Sequence, residues 1–209
     1  MKKTIYAALI FAAFGMTACS GNEVEEDTQA GEEQVVVEEN NYTLNSASSK
    51  LEWRGTWVVA GNEVKNHFGT VEITSGDLVQ KGDHYSGNFT IDMATINAED
   101  LAEDVEDKAK LEGHLQGEDF FNVGEYAKVN VTLNGITDGV ADLTIEALGK
   151  KFNQDAPVEV MTEGDQLMLH GEFSVNFAMF NMPMMQHNEE DGNVNPEVGF
   201  KLHLVVDKQ

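Results

Sequence analysis

Apolar and polar residues alternate through most of this chain with a period of two, the pattern of strands that bury one face. Leu51, Trp53, Gly55, Trp57 and Val59 share one parity, against Glu52, Arg54 and Thr56, and predict a first strand. His67, Gly69, Val71 and Ile73 predict a second, ended by Ser75-Gly76-Asp77; Tyr85, Gly87, Phe89, Ile91 and Met93 predict a third after a Gly82-Asp83 turn. Val129, Val131 and Leu133 form a fourth, running into Asn134-Gly135, a strong hairpin signal, with Asp138-Gly139 as a second turn candidate. Leu143, Ile145 and Ala147 follow, then Phe152 to Val160, where Pro157 marks an edge, a bulge or a strand start. After the turn Glu163-Gly164-Asp165 comes the longest alternation, Leu167 to Phe177, and Val198 to Val206 completes about eight strands.

One stretch breaks the rhythm. From Asn97 to Tyr126, Leu101, Val105, Ala109 and Leu115 fall near helical spacing among many acids, which predicts a polar helix capped by Asn97 with Glu99 and Asp100 in its first turn. Gly113 and Gly117 loosen its end, and the adjacent aromatics Phe120 and Phe121 suit a plug closing one end of something hollow. Eight strands joined mainly by short turns imply an antiparallel sheet that closes on itself: an eight-stranded barrel with a helical insertion between strands three and four. A barrel of that size either fills with side chains or holds one small ligand.

The 209 residues suffice for one substantial domain behind a leader. Lys2 and Lys3 precede an apolar run, Ile5 to Met16, too short to span a bilayer and suited to a secretory signal. Thr17-Ala18-Cys19 follows, and small residues before the chain's single cysteine resemble the lipobox of bacterial lipoproteins, which implies cleavage before Cys19 and lipidation of its sulfur. Residues 20–41 hold eight acids and no base, a self-repelling tether. The expected organisation is a signal peptide over 1–18, an acidic disordered tether over 19–41 and a barrel over 42–209, exported to the cell envelope and facing the periplasm or the cell surface. Beyond the leader and tether, 11 bases face 29 acids. Such a domain repels nucleic acid and anionic membrane, so contact with a membrane is expected through the lipid anchor alone.

Several segments, in order, resemble the YceI-like family. Phe89 to Asn97 is similar to its strand ending in aliphatic-Asp-x-x-Ser-Ile; Gly113 to Tyr126 carries a His-Leu, an Asp-Phe-Phe and a Tyr; Leu143-Thr144-Ile145 is followed by Gly149-Lys150. The resemblance covers residues 42 to 206 and implies an extended lipocalin-like antiparallel barrel that binds isoprenoid or other long-chain lipids.

By parity alone, Trp53, Phe89, Ile91, Val131, Ile145, Leu169, Phe173, Phe177, Phe200 and Leu202 form either a packed core or the lining of a tunnel; the resemblance favours the tunnel, with Phe120 and Phe121 near one mouth. Each buried CH2 of a bound chain contributes about 0.8 kcal/mol, so ten carbons supply several kcal/mol before ordering costs. His114 beside Asp119 reads as a group that fixes a loop, because no partner or reacting group accompanies it. With no nucleophile elbow, phosphate loop or HExxH helix, an enzyme is not expected, and no cofactor is implied. Met179, Met182, Met184, Met185 and His187 offer soft ligands suited to Cu(I), an alternative function; as plain structure they form an adaptable apolar loop at a barrel mouth. A solid barrel acting as an interaction module is a third reading, and a homodimer is compatible with the pattern.

Overall fold

A computed structural model describes residues 37–59, 62–186 and 192–209. The expected signal peptide, Cys19, the tether up to residue 36 and His187 lie outside the described residues. Where the period-two parity runs, the chain is strand: β1 (Glu39–Leu44), β2 (Lys50–Val59), β3 (Asn62–Lys81), β4 (His84–Ala98), β5 (Lys128–Thr137), β6 (Val140–Ala147), β7 (Lys150–Pro157), β8 (Glu159–Glu163), β9 (Gln166–Asn176), β10 (Asn193–Val194) and β11 (Glu197–Lys208). All pairings are antiparallel. Successive strands β2 to β7 are neighbours; β8 continues β7 beyond Val158 and pairs with β9, β9 pairs with β11, and β11 returns to β2. The pairings make a barrel-like ring.

Among the described residues, eleven segments replace the expected eight, for three reasons. β1 begins at Glu39, inside the stretch assigned to the tether, because it finds partners on both sides, β3 from Glu39↔Lys81 and β11 from Tyr42↔Lys208. The run across Pro157 divides: Pro157 has no N–H to give, and the Val158 N–H donates to Gly139 O at 2.8 Å, so the segment leaves β6 there and takes up β9. β10 is a two-residue bridge to Trp57 and Val58, too short to show a period.

Turn chemistry is as expected at Gly82 and Gly164, both at positive φ. Asn134-Gly135 is instead a bulge within β5, where the register to β6 shifts between Leu133 and Gly135; the hairpin turn is Asp138-Gly139, both residues at positive φ. Ser75-Gly76-Asp77 likewise does not end its strand. β3 bulges between Ile73 and Ser75 and runs on to Lys81.

The helix, α1, spans Val105–Gln116, and Asn97 does not cap it. β4 holds the chain in a ladder through Ala98, with Asn97 opposite Thr70, and a 3-10 turn (Glu99–Leu101) intervenes. Asp104 is the cap, its carboxylate accepting from the Asp107 N–H at 3.0 Å. None of the helix residues is fully buried, so side-chain hydrogen bonds supplement the packing of Leu111 and Leu115. Lys108 Nζ donates to Asn97 Oδ1 at 2.6 Å, and the Ala98 N–H to Glu112 Oε1 at 2.9 Å. Leu78, Leu167 and Val206 are fully buried at one end of the core, while Phe120, Phe177, Phe180 and Met182 pack a second cluster.

Candidate functional site

The ring's inward parity leaves a cavity. Its volume is about 210 Å³. All twelve residues expected to line a tunnel reach its wall: Trp53 from β2, Phe89 and Ile91 from β4, Phe120 and Phe121 from the loop after α1, Val131 from β5, Ile145 from β6, Leu169 and Phe173 from β9, Phe177 from the turn after it, and Phe200 and Leu202 from β11. Cross-strand register explains the grouping, since Phe89 faces Val131, Val131 faces Ile145, and Phe173 faces Phe200.

Among the described residues, every lining residue is apolar or glycine. Trp53, whose indole carries an N–H, turns it away to Thr70 O at 3.2 Å. The titratable groups with displaced pKa values lie off this wall: Lys50 raised by its hydrogen bond to Glu52, Asp92 lowered by Lys128, Lys110 raised by Glu106, and Tyr126 raised by Glu125. Such a wall meets whatever lies against it through shape and displaced water.

A row of phenylalanines in edge contact lines one end of the cavity. Phe121 meets Phe177 at 5.8 Å, Phe177 meets Phe180 at 5.3 Å, and Phe180 meets Phe152 at 4.8 Å. Leu115, Phe180, Met185 and Val194 also line the cavity but come from the helix, the 3-10 turns and the short bridge, where no period-two signal could single them out. Leu51, Val71, Ile73, Leu143 and Leu204 were recoverable, because they share the parity of the residues that were expected.

His114 stands beside this end with its ring edge-on to Phe120 at 5.1 Å, and its Nε2 is 3.8 Å from Asp119 Oδ2, both side chains about half exposed. The methionine segment divides: Met179 is exposed, Met182 is buried with Phe177 and Phe180, Met184 is half-buried with its N–H on Asp119 O, and Met185 joins the wall. Among the described residues, no three His, Cys, Asp or Glu side chains are grouped to hold a metal ion.

Comparison with known proteins sets this geometry in a family. The model of the YceI-like domain matches residues 42–206. Among solved structures, BcnA of Burkholderia cenocepacia is 19% identical with a TM-score of 0.55, the match covering 78% of this chain and 98% of that one. A polyisoprenoid-binding domain from Saccharophagus degradans, implicated in plant cell wall breakdown, is 13% identical with a TM-score of 0.58, covering 80% and 98%. At such identities the likeness is one of fold. No curated protein matches the chain significantly.

Proposed function

Because the chain belongs to the YceI-like domain family, and a solved structure of the same fold is a polyisoprenoid-binding domain, we propose that it is a non-catalytic carrier that holds one long apolar chain, of isoprenoid, quinone or fatty-acyl type, in its cavity. The observation that carries this reading is a wall whose described residues are all apolar or glycine, around open space. Each methylene of such a chain that leaves water for this wall contributes about 0.8 kcal/mol before association costs. On this reading the ring is an eight-position barrel in which β1 and β2 share the place between β3 and β11, and β7 and β8 share the place between β6 and β9.

The test is native mass spectrometry of the purified protein, followed by solvent extraction of whatever has co-purified. A bound long-chain compound is the expected result. A clean apo mass, with no uptake when such lipids are offered, defeats the reading.

The carrier is exported and anchored to an envelope membrane through a lipid on Cys19, facing the periplasm or the cell surface, with the acidic segment as its leash. Support comes from the apolar leader and the position of the single cysteine. Cys19→Ser abolishes metabolic labelling by a fatty acid if this is right, and undiminished labelling shows that it is wrong.

A further inference from the structure

Among the described residues, the cavity wall offers nothing to the polar end of a ligand, so that end is met where the wall stops. In the β2–β3 ladder Gly55 lies opposite His67, two residues beyond the pair Trp53 and Gly69. Directly opposed residues share a face of the sheet, and Gly55 lines the cavity. His67 therefore stands on the cavity side of β3, at the edge of the apolar wall.

The 3-10 turn after β4 brings Asp100 to it. Asp100 Oδ2 is 2.7 Å from His67 Nδ1, and Oδ1 accepts from the Phe68 N–H at 3.1 Å, so both carboxylate oxygens are engaged and the group is fixed. Both side chains are largely buried, 18% and 14% exposed. A carboxylate only accepts, which assigns a proton to Nδ1; in the ring that carries this proton alone, Nε2 is an acceptor. Beside it there is room: a Cβ added at Gly55 would meet no atom within 4 Å.

Resting on the carrier reading above, we infer that His67, oriented by Asp100, binds the hydroxyl of the carried molecule, which makes the ligand a long-chain alcohol and not an acid or a phosphate. Charge argues the same way. Asp100 and the neighbouring Glu99 put two carboxylates at this edge, on a chain of formal net charge -24, and an anionic head group would be repelled. Glu99 is itself held by Thr70 Oγ1 at 3.3 Å and by Lys50 Nζ at 3.8 Å. Lys65, two residues along the same face, is exposed, and an ion pair made there in water is weak.

The experiment is displacement of a fluorescent apolar dye from the purified protein by three fifteen-carbon chains that differ only at the head: farnesol, its methyl ether and its phosphate. Farnesol should compete about five- to tenfold better than the ether, the worth of one hydrogen bond. His67→Phe should remove that preference while leaving the ether unchanged. Asp100→Asn, which frees the ring to change tautomer, should narrow it. Equal competition by alcohol and ether in the unaltered protein overturns the inference, as does the phosphate competing best. So does a His67→Phe variant that weakens both chains alike, the mark of a structural role. If none of the chains displaces the dye, the carrier reading falls and takes this one with it.

Discussion

Gly171 packs against the carbonyl of Pro157 so closely that a Cβ on it would stand 2.6 Å from that oxygen and 3.2 Å from a methyl of Val158. This is where the segment after β6 changes partner. β8 pairs with β9 only as far as Glu159↔His170, and among the described residues no ladder joins β7 to the rest of β9. The ring closes here by contact of backbones, and only glycine leaves space for it. Gly171→Ala should therefore destabilise by about 1–3 kcal/mol, the usual cost of overpacking, read as a lower urea midpoint with unchanged slope. Gly55→Ala, facing open space on the same inward parity, should leave the midpoint within about 0.5 kcal/mol of the original. Equal effects at the two positions would show that the Pro157 contact is not what Gly171 serves.

A second closure depends on one hydroxyl. Between β1 and β2 the chain leaves the sheet, and on that side β11 has no ladder partner at Val205, which pairs on its other side with Met168 of β9. Ser49 fills the gap: its Oγ accepts from the Val205 N–H at 2.9 Å and lies 2.8 Å from Asn45 O, while the Asn45 N–H donates to Val205 O at 2.9 Å. Val205 is buried, so Ser49→Ala leaves a donor with neither partner nor water. The expected loss is about 1–3 kcal/mol, with faster amide exchange at Val205 as the local signature. Ser48→Ala next to it, on an exposed residue, should do neither.

The inward parity was legible because burial on one face of a strand writes itself into alternate residues, and that is why Trp53, Phe89 and Phe173 could be placed on the inner face; that this face borders open space was expected only from the family resemblance. What depended on distant partners was not legible. Asn134-Gly135 has the composition of a hairpin turn, yet the strand passes through it because β6 pairs on both sides of the bulge. Asn97 looked like a cap, but the ladder to Thr70 holds it in β4, and the role passes to Asp104. Met185 and Val194 reach the cavity from segments with no periodicity. His67 was legible only as one member of an alternating run; its pairing with Asp100 joins residues 33 apart in the chain, across a turn the sequence presents as helix.

Acid should weaken the fold through a particular pair. Asp92 and Lys128 lie opposite each other in the β4–β5 ladder with Oδ2 2.5 Å from Nζ. The hydrogen bond from Lys128 holds the Asp92 carboxyl below its ordinary value of 3.8; partial burial works against this and the Ala94 N–H assists it. A carboxyl lowered in the folded state binds its proton more readily in the unfolded one, so its contribution is complete above 3.8 and disappears as pH falls through the lower folded value. Lys128→Met should thus lower the urea midpoint at about pH 6 and make progressively less difference toward about pH 2. A gap that stays constant across that range would assign the effect to packing.

The cavity itself can be tested at Phe173, which stacks on Phe200 with ring centroids 6.0 Å apart and belongs to the β9 stretch next to the unladdered seam. A carboxylate at this position would stand on a wall with no donor to receive it, so it must either draw in water or take up a proton. Both outcomes degrade a surface that binds by excluding water. Phe173→Asp should weaken binding of an apolar dye by at least about tenfold, a loss of about 1.4 kcal/mol or more. Phe173→Leu should retain most of it, and Glu172→Gln, on the outward parity and exposed, should retain all of it. Circular dichroism separates lost binding from lost fold. A folded Phe173→Asp protein that binds the dye as before would place the binding surface elsewhere than on this wall.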